Sequence, residues 1–387
     1  MQFRKEIGES ITLKFAEAAN DRRKRGLPII SLGLGEPEFD TPKEIVEATV
    51  EVLRSKNSGY SSPMGILSLR EKIAKKMLDE NQISCDADNI IITAGAKQAF
   101  QLIAMVIVEP QDEIIVLNPS FVSFIPQLFI AECNCNIITI DVSKEDFSLP
   151  ISEIANKVTS KTKMVIVNSP NNPAGYVLSK EQLTELYCLA IEKDFYILSD
   201  EIYEKLIFGS TPHFSIGSLE AEPTKVITIN GFSKSHAMTG WRLGYACFPK
   251  KFKSNLLKLQ QHTNTNTCTF IQEGLDNSFY ISTDYLKAYN EKLAMRMDLY
   301  AQMIERLNGK VSGIPPRGGF FAFMNISNLG MDSNTFCGKL IEATGVATTP
   351  GIAFGENWDD HIRISFATDD ATVEKGILLM EDFIKSL

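Results

Sequence analysis

The stretch Lys225-Val-Ile-Thr-Ile-Asn-Gly-Phe-Ser-Lys234-Ser-His-Ala-Met-Thr-Gly-Trp-Arg242 decides how the chain reads. Its Lys225–Ile229 run is apolar on successive residues rather than alternate ones, which suits a parallel strand covered on both faces. Gly231 marks a turn after the run, Lys234 follows the turn, and Arg242 stands eight positions beyond the lysine. Similar runs occur at Ile90–Thr93, Glu113–Leu117, Asn136–Ile140, Met164–Asn168 and Tyr196–Leu198. Between them, Lys97–Val108 and Lys180–Lys193 carry helical patterns, the second opening on Ser179 with Gln182 three residues later, a capping-box pair. Alternating strands and helices predict an α/β fold with a mostly parallel central sheet, flanked by helices and joined by right-handed crossovers.

The tail reads differently. A long charged helix pattern at Thr283–Leu307 precedes the apolar Gly318–Phe323 stretch, a helix near Phe336–Thr344, a strand at Ile362–Phe366 and a final helix. We expect residues 46–281 to form a large unit. Residues 1–45 and 282–387 would form a smaller α+β unit, with the Ile11–Arg25 helix pattern packed into it.

Composition narrows the function. The 387 residues are 44% hydrophobic and 22% charged, ordinary for a globular protein. A net charge of −9 without a basic block argues against nucleic-acid or anionic-membrane binding. Met1–Ser10 is polar, unlike a signal peptide, and the apolar Leu102–Val108 run is too short to span a bilayer. Seven scattered cysteines match no zinc or redox spacing and suit reduced thiols in the cytoplasm, so no metal is expected.

In an open α/β sheet, ligands sit at the carboxyl ends of the strands. Asp200, Asn172 and Gly95 each follow a predicted strand. A lysine amine with a lowered pKa can form an imine with an aldehyde. A carboxylate opposite a pyridine nitrogen keeps that ring an electron sink. A phenol, a small-residue turn opening a helix and an arginine would complete a site for pyridoxal phosphate. Lys234, Asp200, Tyr203, the Thr93–Gln98 turn and Arg242 supply those groups. Taken singly, Asp200 reads as a helix N-cap, Tyr203 as a core residue, Asn172 as turn chemistry and Thr93–Gln98 as a tight turn. Phe121 reads as a ring-stacking residue or as core.

The chain resembles the class I pyridoxal-phosphate aminotransferases of fold type I, essentially end to end. The resemblance is carried by Leu34-Gly-Glu-Pro-Glu-Phe-Asp-Thr-Pro42, Gly59-Tyr-Ser-Ser-Pro-Met-Gly65, Asn168–Gly175, Ser199-Asp-Glu-Ile-Tyr203, Ser233–Arg242 and Ile362-Arg-Ile-Ser365. It implies that Lys234 bonds the cofactor aldehyde and shuttles the proton, that Asp200 faces the pyridine nitrogen, and that Tyr203 and Asn172 face the ring oxygen. Gly95, Ala96, Lys97, Ser233 and Arg242 would surround the phosphate, and Phe121 would stack on the ring. Tyr60 of the partner subunit would reach the phosphate, which implies a homodimer with shared active sites. Arg363 would clamp the substrate α-carboxylate, helped by Gly35 and Asn172.

Within the family the chain is most similar to bacterial-type aspartate aminotransferases. Lys97 and Ser10-Ile-Thr12 match positions that those enzymes use around a second carboxylate, although Lys97 also reads as a solvated lysine and Ser10 and Thr12 as helix caps. Phe121 stands where a Trp or Tyr is common, and Arg317, Phe320 and Phe321 depart from the usual pattern at the mouth. The polar Thr263–Thr269 segment is expected to line the pocket. The reading is a ping-pong aminotransferase that favours aspartate-type donors and 2-oxoglutarate. Transfer from another amino acid, whether aromatic, alanine or a specialised one, stays open, as does C–S lyase chemistry on the same fold.

Overall fold

The computed structural model describes residues 17, 21–55, 59–131, 134–209 and 212–387. In chain order its strands are Ile30–Ser31 (β1), Ile90–Thr93 (β2), Glu113–Asn118 (β3), Asn136–Asp141 (β4), Thr162–Asn168 (β5), Tyr196–Asp200 (β6), Val226–Gly231 (β7), Gly244–Cys247 (β8), Ser312–Gly313 (β9), Phe321–Asn325 (β10), Val346–Ala347 (β11), Thr349–Pro350 (β12) and His361–Ser365 (β13). Seven of them form one sheet in the order β2-β8-β7-β6-β5-β3-β4.

Successive side chains of a strand point to opposite faces, and here each face has its own core. Ile115, Leu117, Val165, Val167, Ile197 and Val226 pack with Leu183, Leu186 and Ala190 of the Lys180–Lys193 helix. Their neighbours Ile114, Val116, Met164, Ile166, Leu198, Ile227 and Ile229 pack on the other face with Phe100 and Ile103 of the Ala96–Ile107 helix. Two covered faces explain the unbroken apolar runs in the sequence. The Ser179–Gln182 capping box forms with both of its bonds.

One strand of this sheet was not expected. β8 lies between β2 and β7 and runs antiparallel to both. It follows directly on Arg242 and begins with Gly244, whose Cβ, if present, would lie 2.6 Å from the Ala96 backbone nitrogen. The missing side chain lets the Ala96–Ile107 helix start close against the sheet.

The tail forms the four-stranded sheet β12-β13-β10-β9. Its core takes Leu286, Tyr289, Leu293, Met297, Tyr300 and Met303 from the Asp284–Arg306 helix, together with Phe321, Ile362 and Ile364. β1 pairs in parallel with β11, so Ile30 and Leu32 join this same core. Most of the Ile11–Arg25 pattern, with Ser10, Thr12 and Cys133, lies outside the described residues; residues 21–24 are helical. The six described cysteines are free thiols. No helix among the described residues is long and apolar enough to cross a membrane.

Candidate active site

The site is built where strands end. Asn168 and Asp200 are the last residues of β5 and β6 and pair in register. Asn168 Nδ2 donates to the Asp200 carbonyl at 3.0 Å, and Asn168 Oδ1 accepts from the Asn172 backbone N–H at 2.8 Å. Asn172 Oδ1 in turn accepts from Arg363 Nη1 at 3.0 Å. The chain of bonds runs from the large sheet to β13 of the smaller one. Arg363 also donates to the Gly33 carbonyl at 2.7 Å and lies over the Phe321 ring at 4.4 Å. Its Nε is buried without a partner, and burial lowers its pKa to about 10.

A cavity of about 680 Å³ opens at this edge. Lys234, Asp200, Tyr203, Asn172, Ala96, Lys97, Phe121, Ser233, Arg242, Gly35 and Arg363 all line it. Residues spread over more than three hundred positions thus meet as the sequence led us to expect. Gly95 lies just behind the wall. Its φ of +80° suits glycine, and a Cβ there would come within 2.4 Å of Arg242 Nη2. Tyr60 does not line the cavity and is 90% exposed.

Lys234 reaches inward, and its Nζ donates to the Gly35 carbonyl at 2.6 Å. Burial lowers its pKa to about 8, although the Glu36 carboxylate partly opposes the shift. Such an amine is partly neutral near physiological pH and can act as a nucleophile or a base. Asp200 is shifted the other way: burial raises its pKa to about 7. One carboxylate oxygen accepts from the Ile202 backbone N–H at 3.1 Å. Asp200 therefore ends a strand and caps a turn, not a helix. Burial also pushes the Tyr203 phenol up, and its ring is held edge-on by Phe320 at 5.4 Å.

The loop after Lys234 is tightly held. Ala237 and Arg242 both have positive φ, +50° and +56°, which is costly for residues with a Cβ. Thr41 Oγ1 donates to the Ala237 carbonyl at 2.9 Å, and Arg242 Nη1 donates to the Thr239 carbonyl at 2.8 Å. Arg242 Nη2 reaches the Ala94 carbonyl at 3.2 Å, next to the start of the Ala96–Ile107 helix. That helix has Gly95 as N-cap and no side-chain cap, so its first-turn N–H groups keep their capacity for an anion.

One expectation is overturned. Thr263–Thr269 contributes nothing to the cavity wall. Its polar groups serve the fold instead: Asn266 Nδ2 donates to Ser61 Oγ at 3.1 Å, and Thr267 Oγ1 donates to the Ile92 carbonyl at 3.1 Å. Arg317 is exposed and off the cavity, while Phe321 lines it. Other wall residues escaped the sequence reading. Glu36 and Thr239, joined at 2.6 Å, lay inside quoted motifs but carried no stated role. Phe100, Phe124 and Gln127 gave no signal, because a helix face shows its apolar spacing and not the cavity beside it.

Comparison with known proteins agrees with this geometry. Residues 28–377 match the family model of class I and II aminotransferases. The chain is 35% identical to the aspartate aminotransferase of Thermotoga maritima, covering 98% of each sequence. It is 34% identical to aromatic-amino-acid aminotransferase 2 of Thermococcus litoralis, covering 92% of each. The structure of Thermus thermophilus aspartate aminotransferase with maleate superposes with a TM-score of 0.93 at 33% identity, covering 100% of this chain and 99% of that one. The chain belongs to the class I and II aminotransferases, the enzymes that use pyridoxal phosphate to move amino groups.

Proposed function

We propose that this aminotransferase takes its amino group from an aspartate-type L-amino acid and passes it to 2-oxoglutarate, in two half-reactions of a ping-pong cycle. The observation that carries the reading is the pairing of two opposed groups in one cavity: Lys234 with its pKa lowered to about 8 and Asp200 raised to about 7.

These residues suit pyridoxal phosphate. Asp200 is a buried carboxyl whose ionised form is poorly answered within the chain, and a pyridinium N–H would answer it. The uncapped helix start, Ser233 and Arg242 offer N–H, hydroxyl and guanidinium donors to a phosphate. When bound, the cofactor supplies an aldehyde that takes up the amino group and a ring that accepts the electrons left on the substrate α-carbon.

The chain's own groups do the rest. Lys234 Nζ, with its pKa lowered to about 8, would take and hold the proton from the substrate Cα. With the cofactor bound, Asp200 would hold the proton of the ring nitrogen, Tyr203 and Asn172 would hold the ring oxygen, and Phe121 would cover the ring. Arg363 takes the α-carboxylate with a planar pair of donors, helped by Asn172 and Gly35. Lys97 is the cation proposed for the second carboxylate; partial burial and the nearby Arg242 lower its pKa. The enzyme is proposed to work in the cytoplasm as a homodimer, with Tyr60 of the partner subunit at the phosphate. We read residues 46–281 as its large unit and residues 1–45 with 282–387 as its small one.

A second reading rests on the wall itself. Phe100, Phe121 and Phe124 line the same cavity and would receive an aromatic donor. The test adds single amino acids to the holoenzyme without acceptor. Absorbance of the lysine-bound cofactor should give way to that of pyridoxamine phosphate with aspartate or glutamate. Conversion by aromatic donors alone would move the assignment to the second reading. Release of pyruvate and ammonia would make the enzyme a lyase.

A further inference from the structure

Glu36 lines the cavity, yet the reaction as described gives it no task. It stands directly after Gly35, whose carbonyl accepts from Lys234 Nζ at 2.6 Å. Its Oε1 accepts from Thr239 Oγ1 at 2.6 Å. Thr239 belongs to the loop that carries Lys234, and its own carbonyl accepts from Arg242 Nη1 at 2.8 Å. One hydroxyl thus ties an exposed carboxylate to the lysine's own loop, where a free glutamate would range over many rotamers.

The other charges around the amine have ligands to meet. Besides Lys234, the ionisable side chains of the wall are Glu36, Lys97, Asp200, Tyr203, Arg242 and Arg363. Burial acts most strongly on the Lys234 amine and lowers its pKa; Glu36 comes next and raises it, Arg363 and Arg242 lower it, and Asp200 raises it. In the proposed reaction a substrate carboxylate would occupy Arg363, a phosphate Arg242 and a pyridinium N–H Asp200. Of the four charges that act on the amine, Glu36 is the one those ligand groups leave unanswered. When the substrate Cα–H bond breaks, its electron pair passes to the cofactor ring and its proton forms a new N–H bond at Nζ. The lysine then carries one more positive charge, and a fixed anion beside it lowers the energy of that ammonium.

We propose that Glu36 is a positioning residue for the proton transfer: held in place by Thr239, its carboxylate stabilises the Lys234 ammonium that the reaction creates. The inference rests on the aminotransferase reading of this cavity. Glu36 acts through charge and not through contact with the substrate. It makes Lys234 a stronger base than its buried surroundings alone would, and its exposure to solvent keeps the effect modest. The sign is fixed: without that carboxylate the amine is more often neutral near pH 7 and holds a captured proton less well.

The test reads the amine itself. In the full-length protein freed of cofactor, the pH dependence of Lys234 acetylation by acetic anhydride, followed by peptide mass spectrometry, gives its pKa, expected at about 8 in the native protein. Glu36→Gln should lower that value by about half a pH unit, so that about threefold more of the amine is neutral at pH 7. Thr239→Val keeps the carboxylate but frees it, and should lower the value by less. Asp40→Asn removes an equal charge from an exposed position off the cavity wall, and should leave the value where it is. In the holoenzyme, the acid limb of the kcat profile should move to lower pH by the same half unit in Glu36→Gln. An unchanged Lys234 pKa in Glu36→Gln, or an equal fall in Asp40→Asn, would overturn the assignment. With a native value at about 8, that outcome leaves the aminotransferase reading intact. A native Lys234 that titrates near 10, as a solvated lysine does, would take the underlying reading down as well.

Discussion

Asp200 and Glu204 stand four residues apart, both nearly withdrawn from solvent, yet their carboxyls are driven in opposite directions. Burial raises Asp200 to about 7. Burial would raise Glu204 too, but Lys76, His213 and Lys205 outweigh it and hold the carboxyl at about 2. Lys76 pairs directly with Glu204, and Asn81 Nδ2 donates to its second oxygen at 2.5 Å. The same network continues through Ser215 to Glu201, which pairs with His213 at 3.0 Å. One carboxylate is fully answered by the fold. The other forms no ion pair among the described residues, and we propose that a cationic group admitted by the cavity answers it. A buried charge without a partner marks a ligand position more reliably than a buried charge with one.

The comparison breaks first on activity. Asp200→Asn should lower kcat roughly 10²- to 10³-fold, the usual loss when a preorganised electrostatic partner is removed. Glu204→Gln should leave kcat within about threefold of the native value. Steady-state assays of both variants with the cofactor in excess decide this; a large kcat loss in Glu204→Gln would erase the distinction.

Stability should reverse the order. Glu204→Gln leaves the largely buried Lys76 ammonium with only the more distant Glu80 carboxylate at 3.7 Å, and removing one member of a buried pair costs about 3 kcal/mol. Urea denaturation of the cofactor-free protein reads this directly. Asp200→Asn in the same experiment at pH 7 should be neutral or stabilising, because it removes a poorly compensated charge.

The dependence on pH is the most gradual of these effects, the smallest per pH unit. Asp200 titrates at about 7 in the fold and near 4 once unfolded. Its contribution to stability is therefore complete below about pH 4 and is lost as the pH rises to 7. At full slope the loss is about 1.4 kcal/mol per pH unit in the cofactor-free protein. Glu204 runs the other way: its contribution is complete above about pH 4.3 and is lost as the pH falls towards 2. Denaturation midpoints between pH 5 and 7 for native protein and Asp200→Asn isolate the first slope. Parallel curves would mean that Asp200 is not the poised group.

The α/β architecture and the polar residues at the strand ends that reach the cavity are legible in the chain alone. Strand runs such as Met164–Asn168 are visible because both faces of the sheet are covered, and the residues that end them are then placed by the strand. Lys234, Asp200, Asn172 and Arg242 could be named for that reason, each standing at or just after a strand end or a glycine turn. Tertiary structure decided what such local signals cannot carry. It inserted β8 antiparallel beside Arg242, and it turned Thr263–Thr269 away from the cavity to bond Ser61 and Ile92. It joined Glu36 to Thr239 at the cavity wall. It also separated Asp200 from Glu204, two acidic residues in one short segment, by bringing Lys76 to only one of them. The reason is range: strand and turn preferences act over a few residues. The electrostatic state of a buried side chain depends on partners more than a hundred positions away, which only the packed fold brings within reach.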